Sequence, residues 1–261
     1  MKEHFRLMKD KPFISYILPV YHAESFIYDN LGRFSKYCTE SNLNSEIIVV
    51  NDGSTDDTEE KIQAFIRDNK ESSLIKYVKL KKNVGKGAAI KKGLEQAEGQ
   101  YIVFTDCDLQ YSFKNIGDLV TTLVNDSKKI VIANRMRRDS IYRIRSENLT
   151  YIYIRHTAGR VYNWLINLVT RLNIEDTQAG LKGFERTTAE FLFKKMTILG
   201  FTFDVDILMC AKENNIEIAS IPIEFNYDEE MSTINFIKQT FIMSSDLLRI
   251  FFKRLTGYYK K

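Results

Sequence analysis

The chain has 261 residues, 44% hydrophobic and 28% charged, the balance of an ordinary globular protein long enough for one large domain. Cys38, Cys107 and Cys210 are odd in number and far apart, so no disulfide framework or zinc site is expected, and a reducing cytoplasm fits. The formal charge is only +4, no nucleic acid partner is expected, residues 1–11 are too polar for a leader, and no run approaches the ~18 apolar residues of a membrane span.

In chain order, residues 13–20 form an apolar, β-branched run that predicts a first strand, with a helix over 23–40. Residues 46–50 are a continuous apolar run of the kind buried in a parallel sheet. That strand ends at Asn51-Asp52-Gly53-Ser54-Thr55-Asp56-Asp57, where Gly53 permits a tight turn. Ser54 or Thr55 is expected to cap a helix running to 69. Strand 74–80 and helix 85–98 come next, then strand 100–105, helix 112–125 and strand 128–134. Strands spaced by helices predict an α/β protein: βαβ units, a mostly parallel sheet flanked by helices, and right-handed crossovers. A helix over 151–172 is expected to turn Ile152, Val161, Trp164, Ile166 and Leu168 towards the core or a groove.

In such sheets ligands bind beyond the carboxyl ends of the strands. Residues 19–24, 51–57, 83–87 and 106–110 all fall there, four strand ends converging on one crevice. The first turn, Pro19-Val-Tyr-His-Ala-Glu24, has no glycine, which excludes a dinucleotide fingerprint. Asn83-Val-Gly-Lys-Gly87 lacks the upstream glycine and the hydroxyl of a P-loop.

After the fourth strand, Asp106 and Asp108 stand two residues apart and share a face, so both carboxylates can reach one cation, with Gln110 a third oxygen donor. Hard oxygen donors of this kind suit Mg²⁺ or Mn²⁺, which complete their shells with phosphate oxygens. Residues 135–160 hold seven arginines and no lysine, a usage that favours bidentate phosphate or carboxylate recognition. Arg135, just past the fifth strand, is the candidate phosphate partner; Arg137, Arg138, Arg143 and Arg145 are not separable. His4, His22 and His156 form no metal spacing and are expected to be structural.

Residues 233–261 carry a net charge of +5, which leaves the rest of the chain near neutral. Ile234, Ile237, Phe241, Leu248, Phe252 and Leu255 recur at helical spacing there, with Lys238, Arg249, Lys253 and Arg254 supplying charge. Such a basic amphipathic helix either lies in a membrane interface or docks on the protein's own core.

Together these strand ends resemble the GT-A glycosyltransferases of family 2, and within them the polyprenyl-phosphate branch of dolichyl-phosphate glucosyltransferases and mannose synthases. The resemblance runs from about 13 to 257. Residues 49–58 are similar to the family's nucleotide-binding turn, which places Asp52 at the base; Pro19, Tyr21 and Glu24 are similar to its first-strand motif around base and ribose. Lys86 lies in a segment similar to the family's glycine-lysine-glycine motif, and Asp106, Asp108 and Gln110 match the metal- and diphosphate-binding triplet of the mannose synthases. Asp176-Thr-Gln178-Ala-Gly-Leu-Lys182 and Phe203-Asp204-Val-Asp206-Ile-Leu208 look more like the glucosyltransferase. Three places depart from the pattern: Tyr21-His-Ala-Glu24, Glu230-Met-Ser-Thr233, which lacks glycine and lysine, and the missing transmembrane helices.

The resemblance implies a GT-A catalytic domain over 1–232, with a nucleotide half at about 13–135 and an acceptor half at about 136–232, followed by the 233–261 helix. It implies an inverting, metal-dependent transfer of a hexose from UDP-glucose, or from GDP-mannose, to a polyprenyl phosphate. The enzyme would work on the cytosolic face of a membrane. An acceptor phosphate is already ionised and needs only cationic guides, among them the 135–160 arginines and Lys182. Asp176 and Asp204 are the candidates if a base exists. Transfer to a soluble sugar or polysaccharide, and a catalytically silent nucleotide-sugar binding module, are the alternatives.

Overall fold

The computed structural model describes residues 13–41, 43–69, 74–144, 149–227 and 236–260. Strands β1 (Ile14–Val20), β2 (Ser45–Asn51), β3 (Ile75–Lys79) and β4 (Tyr101–Phe104) alternate with helices α1 (Ile27–Glu40), α2 (Thr58–Asp68) and α3 (Lys86–Gln96). Helix α4 (Phe113–Asn125), β5 (Ile130–Asn134), β6 (Ile141–Ile144) and α5 (Leu149–Thr170) lead into β7 (Lys182–Glu185) and α6 (Arg186–Lys195). Helix α7 (Phe203–Glu213), β8 (Ile218–Pro222), β9 (Glu224–Tyr227) and α8 (Phe236–Leu255) complete the order.

The main sheet runs β3-β2-β1-β4-β7-β5-β8. It is parallel except for β7, which lies antiparallel between β4 and β5. Strands β6 and β9 form a separate parallel pair. Every residue of β2 is buried because helices cover both faces, which is why its centre, Ile47-Ile48-Val49-Val50, is continuously apolar. Side chains alternate between two cores: Ile48 and Val50 join α3, α6 and α7 on one face, while Ile47 and Val49 join α1, α2 and α4 on the other.

Two expectations need correction, and one alternative is decided in part. Helix α2 begins at Thr58, and neither Ser54 nor Thr55 caps it; both hydroxyls are drawn to His22 instead. In α5, Ile166 is core, but Val161, Trp164 and Leu168 face solvent, Trp164 being 61% exposed. The C-terminal helix is partly integral: its Leu247 and Ile250, and Tyr259 in the turn beyond it, are buried in the first core, the two aliphatic side chains contributing roughly 1.5–3 kcal/mol each. The 232/233 boundary, Arg145, and the segment from Glu230 to Ile234 lie outside the described residues.

Candidate active site

The carboxyl ends of β1 and β2 are stitched together by side chains. The amide of His22, held at a left-handed φ of +50°, donates to Ser54 Oγ at 3.0 Å, and its ring Nε2 lies 3.1 Å from Thr55 Oγ1. The amide of Asp57 donates to Glu24 Oε2 at 2.8 Å, so Glu24 holds the entry to α2. Tyr21 is exposed and stacks on His22 with ring centroids 3.9 Å apart, offering a flat aromatic face at the rim; Pro19 is half-buried in β1. Asp52 is buried, and its two oxygens accept from the amides of Val84 and Gly85, each at 2.8 Å. Burial raises its carboxyl above the ordinary range, and the two donors offset only part of that. Asp52 therefore shapes the loop before α3, and any contact with a base would share it with that loop. Gly53 (φ +69°) is required here, since a Cβ would lie 2.3 Å from the Lys82 carbonyl carbon.

Lys86, the first residue of α3, pairs with Asp106 across the crevice. Burial would lower its ammonium, but Asp106, Asp204 and Asp108 outweigh it and raise the pKa. Both loop carboxylates thus already act on one cation. Asn30 Nδ2 braces the loop by donating to the Cys107 carbonyl at 3.0 Å. Behind Asp106 lies Gly180, where a Cβ would come within 1.9 Å of Asp106 Oδ2. Bare backbone is thus packed against the carboxylate, and the Gly180 amide is fixed by donating to Tyr111 Oη at 2.7 Å. Among the described residues no group of three or more His, Cys, Asp and Glu side chains forms a closed metal cage. Asp106, Asp108 and Gln110 follow one another in this open loop, the Gln110 amide donating to Asp108 Oδ1 at 3.4 Å, and they are the residues that could offer oxygens to a hard divalent ion completing its shell from substrate.

Arg135 and Asp176 are brought together. Arg135 donates through Nε (2.8 Å), Nη2 (2.9 Å) and its own amide (2.9 Å) to the Asp176 carboxylate. Burial would raise the Asp176 carboxyl, but the guanidinium prevails and holds it below the ordinary range. Lys182 and Asp204 form a second pair at 2.7 Å, without hydrogen-bond alignment at Asp204 Oδ1, while Lys182 Nζ donates to the Ala179 carbonyl at 2.6 Å. Lys182 is completely buried, so it supports Asp204 from beneath the crevice; this differs from the exposed cationic guide that its motif suggested. Burial lowers the lysine and raises the aspartate, each against its partner's pull. Gln178 is half-buried in the loop between them. Tyr111 and Gly180 escaped sequence reasoning, only the glycine inside the 176–182 motif carrying any signal, while His22, expected to be structural, braces the turn after β2.

The same arrangement of sheet and helices occurs in solved structures. Glucosyl-3-phosphoglycerate synthase from Mycobacterium tuberculosis, in complex with Mn²⁺, UDP and glucosyl-3-phosphoglycerate, superposes with a TM-score of 0.65 at 18% identity, covering 93% of this chain and 80% of that one. A mannosyltransferase from Pyrobaculum calidifontis, in complex with GDP-Man and Mn²⁺, gives 0.59 at 18% identity, with 95% and 65% covered. The fold is thus the GT-A fold of glycosyltransferases. The chain belongs to Glycosyl transferase family 2, which it matches over residues 15–193. Among curated relatives it is 28% identical to a dolichyl-phosphate β-glucosyltransferase of Dictyostelium discoideum, over 96% of this chain and 77% of the relative. It is 27% identical to the Homo sapiens protein of the same name, with 95% and 77% covered.

Proposed function

We propose that the chain transfers a hexose, glucose from UDP-glucose before mannose from GDP-mannose, to a polyprenyl phosphate with inversion at the sugar carbon. The observation that carries the acceptor class is the capture of both candidate bases. Asp176 is gripped at both oxygens by Arg135, and Asp204 is buried on Lys182. An alcohol needs a base to take its proton, whereas a phosphate arrives ionised and attacks directly. The relatives' names support the same acceptor and the same sugar.

In this reading Tyr21, Asp52 and the 83–87 loop receive the nucleotide, and Lys86 leaves Asp106 for the diphosphate. Asp106 and Asp108, assisted by Gln110, would hold Mg²⁺ or Mn²⁺. A bound ion would offset the negative charge that gathers on the departing nucleoside diphosphate. Arg135 turns its guanidinium towards the same charge while Asp176 keeps it oriented.

Membrane contact follows from the acceptor, which stays in the bilayer. Among the described residues no helix is long and apolar enough to cross a membrane. Helices α5 and α8 lie side by side, joined where Tyr162 Oη donates to the Met243 carbonyl and Arg254 Nη1 to the Thr170 carbonyl. Both leave apolar stripes in solvent: Val161, Trp164, Leu165 and Leu168 on one, Phe241, Leu248, Phe252 and Leu255 on the other. With exposed Arg160, Arg171 and Arg249 nearby, this surface suits an anionic cytosolic leaflet.

The test is transfer from labelled UDP-glucose and GDP-mannose to a short-chain polyprenyl phosphate in detergent, with Mn²⁺ or EDTA. Glucosylated lipid phosphate formed only with metal is expected. Transfer to soluble sugars with none to the lipid phosphate would refute the reading.

A further inference from the structure

Asp206 lies in the first turn of α7, is completely buried, and takes no part in the contacts above. Its Oδ2 accepts from the Thr197 amide at 2.7 Å, the Ile198 amide at 3.0 Å and the Thr197 hydroxyl at 3.3 Å. Its Oδ1 accepts from the Tyr259 hydroxyl, with Lys253 Nζ 3.8 Å away. Tyr259 reaches this point because Gly257, at φ +71°, ends α8 and turns the chain inward. One carboxylate therefore ties the turn after α8 to segment 197–203.

That segment is the back wall of the nucleotide loop. The Ala88 amide donates to the Leu199 carbonyl at 3.1 Å. A Cβ on Gly85 would lie 2.5 Å from that same oxygen, and one on Gly87 would lie 2.5 Å from Phe203 Cβ. With no slack between the segment and the first turn of α3, a shift in one moves the other. The turn carries Lys86, and the Gly85 amide before it holds Asp52. An apolar residue would fasten α8 to the core at lower cost than a buried carboxylate. Donors arriving from both sides of Asp206 instead fix direction and distance.

We propose that Asp206 and Tyr259 are positioning residues for donor binding. They hold segment 197–203, which sets Lys86 and the amides of Val84 and Gly85 where the nucleotide meets them. The proposal rests on the donor reading above.

Tyr259→Phe deletes one hydroxyl and keeps the ring, so the protein folds. Tyr258→Leu is the control: it loosens the same turn, losing its edge contact with the Tyr259 ring (5.5 Å), its ring contacts to Lys195 and Lys253 and its hydroxyl bond to the Lys195 carbonyl, but it keeps the Tyr259 hydroxyl that donates to Asp206. Two readouts apply: hydrogen exchange of residues 84–88 in ligand-free protein, and calorimetry of UDP with Mn²⁺. Tyr259→Phe should speed exchange at 84–88 and weaken UDP binding about three- to tenfold. Its donor KM should rise while kcat at saturation stays near wild type. Tyr258→Leu, at comparable loss of Tm, should change none of these. Unchanged exchange at 84–88 in Tyr259→Phe, or equal effects from both variants, would overturn the proposal. If wild-type protein binds no UDP, the donor reading fails, and exchange alone decides the positioning role.

Discussion

Replacing Gly180 with alanine is expected to disable the crevice while leaving the fold intact. The added Cβ would lie 1.9 Å from Asp106 Oδ2 and 2.7 Å from its Cγ, whereas a non-bonded carbon and oxygen need roughly 3.3 Å. The missing distance, well over an ångström, has to come from one of the two partners. Gly180 is held by its bond to Tyr111, with fully buried Ala179 and Leu181 on either side. Asp106 is the free end of a short, partly exposed side chain, so it swings away at little cost in stability. It then loses Lys86 and its alignment with Asp108. Displacing a reacting constellation by about 1 Å costs on the order of 100-fold, so kcat should fall by about that factor. The Mn²⁺ concentration giving half-maximal activity should rise by about ten- to hundredfold. The assay is initial rate against Mn²⁺, with thermal melting alongside. Gly159→Ala and Gly200→Ala are internal controls, because a Cβ at either meets nothing within 4 Å. A Gly180→Ala protein with wild-type turnover and metal dependence would refute the reasoning.

Asp108→Ala and Asp106→Ala should abolish turnover with little change in Tm, and Gln110→Ala should reduce it more mildly; full activity of Asp108→Ala in EDTA would exclude the metal role. Asp52→Ala loses two buried charge-assisted hydrogen bonds and frees the loop before α3, and Lys86→Ala removes the cation, so each should weaken UDP binding about ten- to hundredfold by calorimetry. Arg135→Ala leaves Asp176 buried without its partner and should destabilise the fold by about 3 kcal/mol in urea titrations near neutral pH. The folded-state pKa of Asp176 is depressed, so the pair's contribution is complete above the ordinary carboxyl value of about 3.9 and is lost as pH falls through the lower folded value. In Arg135→Ala the guanidinium is gone and burial raises the Asp176 carboxyl instead, so the variant recovers stability as that group protonates; the gap to wild type should be largest near neutral pH and narrow as pH falls towards about 3, and a gap that widens with acid would contradict the pairing. Burial pushes the Cys38 thiol up to about 12, so iodoacetamide at pH 8 should leave it unmodified in the folded protein, as peptide mapping would show.

The first 135 residues were legible because their elements are locally regular. An apolar run covered on both faces, an Asp-Gly turn at its end and a helix beyond it are all short-range signals. Strand β7 was not legible. Lys182-Gly183-Phe184-Glu185 offers one large apolar side chain, and it becomes a strand only by pairing with residues 101–104 and 130–132. Gly183 lets it fit: a Cβ there would lie 2.5 Å from Leu119 Cδ2. The same antiparallel return carries Gly180 against Asp106, so the wall of the 106–110 loop was as hidden as the strand that delivers it. Asp106 and Asp108 were visible as a pair from their spacing, since both follow one strand end.

Arg135 and Asp176 were each visible as charged residues near the crevice, but their mutual capture was not, because neither motif contains the other. That capture changes the chemistry the site can support. A carboxylate engaged at both oxygens by one guanidinium, with a depressed pKa, is a poor base for an alcohol. Asp204 is withdrawn differently: it is buried against Lys182 below the floor, where burial raises its carboxyl against the lysine's pull. Of the cations, Arg135 stays partly exposed at the crevice, and Lys86 is held there by carboxylates that a divalent ion would relieve of it. A crevice whose acids are occupied and whose cations face inward favours two anionic substrates, and that is why an acceptor that arrives already ionised suits it.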